Sequence, residues 1–324
     1  MQISVTVAIC TWNRAALLDQ TLGRMKCLEI PEGVTWELLV VNNNCSDNTD
    51  EIIQKHAPVL PLKRLFEPKQ GHSNARNCAV QHASGDLLVW TDDDVLVDKN
   101  WLALFANAAT LFSHAAYFGG AIEPYFETAP PRDLARSLPE IASAYALVDY
   151  GNETRPFRNG ESPFGANMAF RMDVLRSFQF DPNLGRVENN MIGDDETALL
   201  ERLKSDKQQG IWIGQARVQH IIPEERATWS YIERYYSGLG QTVTRRQGFP
   251  DCSTIFGAPR WVVREYWTKR LQGWFLRCLG QSGWVAKFAR AAYYRGVIEE
   301  IARYREKGGI SVNGYLVPPG AGIL

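Results

Sequence analysis

None of the six cysteines, Cys10, Cys27, Cys45, Cys78, Cys252 and Cys278, stands in a CxxC pair or at zinc-ligand spacing, so a zinc ribbon and a CxxC redox site are excluded. They read as scattered small apolar residues of a reducing compartment. No run reaches the ~18 apolar residues needed to span a bilayer. The opening "MQISVTVAIC" lacks a cationic segment and a long apolar core before small residues. It reads as a first strand rather than a signal peptide, and a cytoplasmic protein is expected. A formal net charge of -1 gives no global attraction for nucleic acid, and no such partner is expected. No internal repeat, low-complexity tract or clean linker is visible.

The chain does have apolar content enough for a sizeable core: 45% of its 324 residues are hydrophobic and 11% aromatic. Strand-like and helix-like segments alternate in the first third. "ISVTVAIC", "WELLVVN", "LKRLFEP" and "DLLVWT" read as strands, separated by the helical "NRAALLDQTLGRM", "SDNTDEIIQKHA" and "NARNCAVQHA". Trp101, Leu102, Phe105, Ala108, Ala109 and Phe112 mark one face of a further helix. Such alternation implies an α/β fold, a Rossmann-like, mostly parallel sheet flanked by helices. Ligands of such sheets bind beyond the C-terminal strand ends, where Asn13, Asn42, Asn43 and Asp92–Asp94 all fall. After "YFGGAIEPYFE" the segments "ETAPPRD" and "DYGNETRPFRNGESPFG" read as loops, "GDDETALLERLKS" as a helix and "GIWIGQARVQH" as a strand pair. The expected organisation is one α/β domain over 1–248 and a helical extension over 249–324.

"LLVWTDDDVLV" ends an apolar strand in three consecutive carboxylates. Two like charges 4 Å apart repel by roughly 4 kcal/mol at an effective dielectric of about 20. Metal binding or acid–base catalysis would justify the cluster; a solvated acidic turn serves the run alone as well. At i and i+2 of an extended segment, Asp92 and Asp94 point the same way while Asp93 points elsewhere. In "GDDETALLERL", Asp194 and Asp195 open a helix, either as a cap or as a general base. Thr11, Asn13, Arg14, Asn42 and Asn43 lie in two loops suited to a nucleobase and ribose, although asparagines are also ordinary turn formers. Gly71 supplies a flexible turn, and Arg76 a cation suited to phosphate or to an ion pair. His220 closes a strand-like segment, where a lone histidine is structural or a ligand.

The pieces "VAICTWNR", "LLVVNNNCSDNT", "GHSNARNCAV", "ASGDLLVWTDDDV", "GANMAF" and "GDDETALLERL" follow one another in an order that resembles glycosyltransferase family 2, over about residues 3–245. The resemblance implies the GT-A fold, a nucleotide-diphosphate sugar donor and inversion at the anomeric carbon. A UDP-sugar is the favoured donor, and a hydroxyl of a saccharide or lipid-linked molecule the acceptor. The Asp92–Asp94 run looks like the family's DXD motif, with Asp92 and Asp93 by the nucleotide sugar and Asp94 on a divalent cation, Mg²⁺ or Mn²⁺. Asp195 matches the catalytic base, and Asp194 stands where the family has Glu. Thr11, Asn13 and Arg14 match the first nucleotide loop, and Arg76 a residue near the diphosphate. Gly165 and Asn167 match a segment facing donor sugar and acceptor. A histidine near His220 reaches metal or diphosphate in this family, and Arg226 is a candidate phosphate partner. One departure is Asn42, where the family commonly has an Asp that accepts the uracil N3–H; Asn adds N–H donors and opens the base identity.

Two other readings remain. A sugar-nucleotidyltransferase would want a Gly-rich, Lys- or Arg-bearing loop after the first strand, which "CTWNRAALL" lacks. A nucleotide-sugar-binding protein without transfer activity would not need both acidic motifs. The tail over 259–307 interleaves Trp261, Trp267, Trp274 and Trp284 with arginines and lysines, a pattern of peripheral contact with an anionic membrane or of packing on protein.

Overall fold

Ile3–Thr11, alternately β-branched and apolar, forms β1 at the centre of a sheet, and both of its faces are covered. The computed structural model describes residues 2–182, 195–250, 253–255, 258–306, 310–312 and 315–317. In chain order β1 is followed by α1 (Ala15–Met25), β2 (Val34–Asn42), α2 (Thr49–His56), β3 (Leu62–Phe66) and α3 (His72–His82). Next come β4 (Leu87–Asp92), β5 (Val95–Val97), α4 (Trp101–Leu111), β6 (Tyr117–Phe126), α5 (Arg132–Arg136) and α6 (Leu138–Ile141). The chain continues through β7 (Thr154–Pro156), β8 (Met168–Arg171), α7 (Met172–Arg176), α8 (Asp195–Ser205) and β9 (Gly210–Ile222). Three long helices close the series: α9 (Trp229–Gln247), α10 (Arg260–Cys278) and α11 (Trp284–Glu306).

The chain divides into two compact units. The first, 1–127, 145–188 and 194–222, holds a nine-stranded sheet ordered β3-β2-β1-β4-β8-β6-β9-β5, with β7 paired to β9. Strands β3, β2, β1 and β4 are mutually parallel because a helix returns the chain between each pair. Strand β8 runs antiparallel between β4 and β6, and β5 and β7 run antiparallel to β9. This is an α/β fold with a mostly parallel central sheet.

The period of two along β1 sends Val5, Val7 and Ile9 into one core with Leu18 and Leu22 of α1 and Trp101 and Phe105 of α4. Ala8 faces the other core, with Leu39, Leu88, Trp90, Ala75 and Ala79 of α3, and Leu199 of α8. Leu18 is fully buried, so Leu18→Ala would cost ~3 kcal/mol through lost transfer and a cavity. The apolar face read from Trp101 to Ala109 is buried as the spacing predicts. "GIWIGQARVQH" is not a strand pair: β9 is one continuous strand of 13 residues, accommodated by a register shift against β6 between Gly120 and Ile122. The loop-like stretch after β6 contains α5, α6 and β7.

The second unit comprises 128–144, 189–193 and 223–324, so residue 248 falls inside it. Here α11 packs against both α9 and α10. A Cβ on Gly240 would meet the Tyr293 carbonyl at 2.1 Å, and one on Gly296 the Ser237 carbonyl at 1.9 Å; glycines at both places let the α9 and α11 backbones approach. Val262, Val297, Ile301 and Tyr304 fill the interior, with Glu300 buried against Arg245 at 2.6 Å. Among the described residues, no helix is long and apolar enough to cross a membrane.

Candidate active site

From β1 the chain builds outward through β2 to β3, then returns to the other side of β1 as β4. That reversal makes a crevice at the C-terminal ends of β1 and β4, where parallel sheets hold ligands. The register aligns the ends: Thr11 lies opposite Asn42, and Cys10 opposite Asp92. The loops after β1, β2 and β4 therefore emerge side by side.

Arg14 spans the crevice. Its Nη1 donates to Asp93 Oδ1 at 2.9 Å and to Asp94 Oδ2 at 3.0 Å. Asp93 and Asp94 are buried, and the cation offsets the repulsion that makes three adjacent carboxylates costly. Burial pushes the Asp93 carboxyl above its ordinary range; Arg14 opposes that shift and Asp94 adds to it. The carboxylates in turn raise the Arg14 guanidinium, Asp93 most, against its desolvation. β4 ends at Asp92 and Asp93–Asp94 form a turn, so Asp93, which strand alternation would turn away, joins Asp94 on Arg14, while the Asp92 carboxylate also bears on Arg14 and His220. Thr21 of α1 pins the turn, donating to the Asp93 carbonyl at 2.9 Å and accepting Val95 N–H at 3.1 Å.

His220 joins them through strand pairing. Antiparallel register places it opposite Val95, and Ile221 N–H donates to the Asp94 carbonyl at 2.8 Å. Its Nε2 lies 3.2 Å from Asp94 Oδ1, while Nδ1 sits 2.6 Å from the Tyr145 carbonyl. Burial works against the imidazolium, but Asp94 and the carbonyl outweigh it and raise the His220 pKa. A backbone carbonyl on Nδ1 is the arrangement that turns Nε2 of a histidine toward a metal. The Asp94 carboxylate is an oxygen donor of the kind that hard divalent cations take beside phosphate oxygens, and Nε2 of a neutral His220 would be a second donor. Among the described residues, no group of three or more His, Cys, Asp or Glu side chains is arranged to hold a metal ion.

The asparagines serve the loops. Asn13, in a left-handed conformation (φ 51°) that Asn tolerates, accepts Ser46 N–H at 2.7 Å. Asn42 is buried: Oδ1 accepts Cys45 N–H at 2.8 Å and Nδ2 donates to Asp50 Oδ1 at 2.7 Å. Asn43 accepts Gly71 N–H at 2.9 Å and donates to the Glu67 and Lys69 carbonyls. Gly71 itself has φ 130°, which explains the glycine. Thr11 is buried at the end of β1.

A second cluster joins α3, the segment before β8 and α8. Arg76 is buried with Nη1 donating to Glu196 Oε2 at 2.7 Å, and its guanidinium stacks over Trp90 and Phe180. A Cβ on Gly165 would lie 2.5 Å from Arg76 Nη2 and 3.3 Å from Glu196 Oε1. Arg76 therefore sits in the interior as the partner of α8 rather than as a presented phosphate ligand. Asn167 is likewise a core residue, accepting Trp101 Nε1–H at 2.8 Å and donating to the Ala121 and Ala216 carbonyls. Asp195 opens α8; its side chain, like the whole of Asp194, lies outside the described residues. Arg226 belongs to the second unit, over the Tyr231 ring. Sequence reasoning missed Glu196, although it is the third acid of "GDDE"; it also missed Thr21 and the Tyr145 carbonyl, which carry no sequence signal.

A mostly parallel sheet with acidic side chains at its reversal point suits a nucleotide ligand, and comparison with known proteins supplies the class. The model of Glycosyl transferase family 2 matches residues 6–178, more than half of the chain, and the chain belongs to that family. It is a glycosyltransferase (EC 2.4) of the GT-A fold. The succinoglycan biosynthesis protein ExoM of Rhizobium meliloti is 24% identical over 246 residues, 74% of each chain. The validoxylamine A glucosyltransferase of Streptomyces hygroscopicus subsp. jinggangensis is 31% identical over 179 residues, 55% of this chain but 40% of its own length. Among solved structures, a mannosyltransferase from Pyrobaculum calidifontis in complex with GDP-Man and Mn2+ superposes with TM-score 0.53 at 21% identity, covering 90% of this chain and 74% of its own. S. aureus TarS 1-349 in complex with UDP-GlcNAc gives 0.51 at 15% identity, covering 99% and 98%.

Proposed function

We propose that the chain transfers a sugar from a nucleotide-diphosphate donor, a UDP-sugar in the favoured case, to a hydroxyl of a saccharide or lipid-linked acceptor, with inversion. The observation that carries this reading is the convergence of Arg14, Asp93, Asp94 and His220 at the reversal point of the sheet. Related folds hold GDP-Man with Mn2+ in one protein and UDP-GlcNAc in another, which supports a nucleotide-sugar donor. ExoM is named for succinoglycan biosynthesis, which supports a saccharide product.

Asp94 and His220 are the residues that would hold Mg²⁺ or Mn²⁺, which when bound neutralises charge on the leaving diphosphate. In this reading Asp92, at the end of β4, would contact the ribose, and Arg14, paired with Asp94, would add positive charge beside the diphosphate. Asp195 removes the proton of the acceptor hydroxyl as its oxygen attacks the anomeric carbon opposite the breaking bond to the diphosphate. The amide of Asn42 accepts from Cys45 and donates to Asp50, so it has at most one further lone pair and one further N–H to offer a base.

Thermal-shift measurements with UDP, GDP and dTDP, each with and without Mn²⁺, test the donor. A metal-dependent rise with one diphosphate is expected, and no rise with any would overturn the donor reading. Asp195→Asn should abolish transfer and leave donor affinity near normal; surviving transfer would remove Asp195 as the base. The anomeric configuration of the product, read by NMR coupling, tests inversion.

A further inference from the structure

Helix α10 carries a face that the second unit does not cover. Val262 and Gly273 are its buried positions, with Gly273 tight enough against α11 that a Cβ there would meet Phe288 at 2.8 Å. On the opposite side, Trp267, Leu271, Trp274 and Phe275 follow one another at helical spacing, and each is more than half exposed. Arg260 and Arg264 extend the same face toward the N-terminus, and Arg264 is 74% exposed. The helix's single acid, Glu265, lies off this face and is shared between Lys269 at 3.5 Å and Arg264 at 3.8 Å. Four large apolar side chains beside two exposed arginines, served by the one acid Glu265, form a surface of unusual kind for water.

Other tail aromatics do not contribute. Trp284 is buried against Trp229 with ring centroids 4.3 Å apart, and Arg277 stacks over Trp284. Trp261 stacks on Phe249. Membrane character read from the whole tail thus narrows to one helix face.

We propose that this face of α10 docks on the surface of an anionic lipid bilayer. Tryptophan prefers the level between headgroups and acyl chains, and Leu271 and Phe275 reach the apolar layer beside it. Arginine stems lie along the apolar boundary while their guanidinium groups meet lipid phosphates. A second copy is a poorer occupant: each side of a self-paired face would bring two arginines, Arg260 and Arg264, against one acid, Glu265, at its edge. The inference goes beyond the donor reaction and stands independently of it.

Sedimentation of the full chain with vesicles tests it, without any donor present. The chain should pellet with equal parts phosphatidylglycerol and phosphatidylcholine, stay in the supernatant with phosphatidylcholine alone, and be released by high salt. Trp267→Ser, Leu271→Ser, Trp274→Ser and Phe275→Ser together should cut partitioning by at least about tenfold. Should that variant misfold by circular dichroism, Arg260→Glu with Arg264→Glu alters only exposed charge and should also abolish pelleting. Failure of the unaltered chain to pellet with phosphatidylglycerol would overturn the proposal, as would undiminished pelleting of the folded variants. A dimer in light scattering that the four-serine variant dissociates, without vesicle binding, would assign the face to a second copy instead.

Discussion

The Arg76 guanidinium donates to Glu196 at 2.7 Å beside the bare Cα of Gly165, one residue along α8 from Asp195. This pair fixes the helix whose first residue is the proposed base. Glu196→Gln should lower stability by about 2 kcal/mol, below the ~3–5 of a fully buried pair because Glu196 keeps some exposure. Denaturant unfolding measures that loss. Transfer turnover should fall more than donor affinity does, and Gly165→Ala should reproduce both effects, since its Cβ displaces Arg76.

Arg14 is the counter-charge of Asp93 and Asp94, both almost fully buried. Arg14→Gln should cost about 3 kcal/mol by leaving buried carboxylates uncompensated. Scanning fluorimetry with and without MnCl₂ should show a larger metal-induced rise in Tm for the variant than for the unaltered chain. An equal rise in both would place the cation away from Asp94.

Asn42 and Asp50 form a donor–acceptor pair whose direction matters. Asn42→Asp would put a buried carboxylate at hydrogen-bond distance from that of Asp50, which is 44% exposed and paired with Arg64, a repulsion of roughly 1–2 kcal/mol after solvent screening. Adding Asp50→Asn restores one donor and one acceptor and should recover most of the loss. The Arg64 contact given up by that second change is surface-exposed and worth little. Urea midpoints of the two singles and the double variant decide it.

Arg155 grips Glu161 with both Nη atoms, at 2.7 and 3.0 Å, and holds its carboxyl down at about 2 against an ordinary 4.5. A depressed carboxylate pKa contributes stability that is complete above the unfolded value and lost as pH falls toward the folded one. The Tm gap between the unaltered chain and Glu161→Gln should therefore be constant above pH about 4.5 and close toward pH about 2. A gap unchanged at pH about 3 would contradict this assignment.

What the sequence disclosed follows from locality. Val5, Val7 and Ile9 on one core and Ala8 on the other are readable because strand alternation is a property of neighbours. The acidic turn after β4 was readable as a site, but not the convergence of Asp93 with Asp94, which depends on the strand ending at Asp92. Asn42, Asn43 and Asn167 looked like ligands by position, yet their amides satisfy loop and core backbone groups that only the folded chain brings near. His220 reaches Asp94 through the pairing of β9 with β5, a register that no local pattern encodes.

The charge pairs of the crevice also set an order of assembly. Arg14 is separated from Asp93 and Asp94 by 79 and 80 residues, and His220 from the carbonyl that orients it by 75. Such contacts form only after long loops close, so they come late in folding. A growing chain that has completed α3 already displays Arg14 without either carboxylate, and one that has completed β8 still lacks His220. Nascent chains halted before β9 would hold much of the sheet but not the charge cluster that Arg14, Asp93, Asp94 and His220 complete.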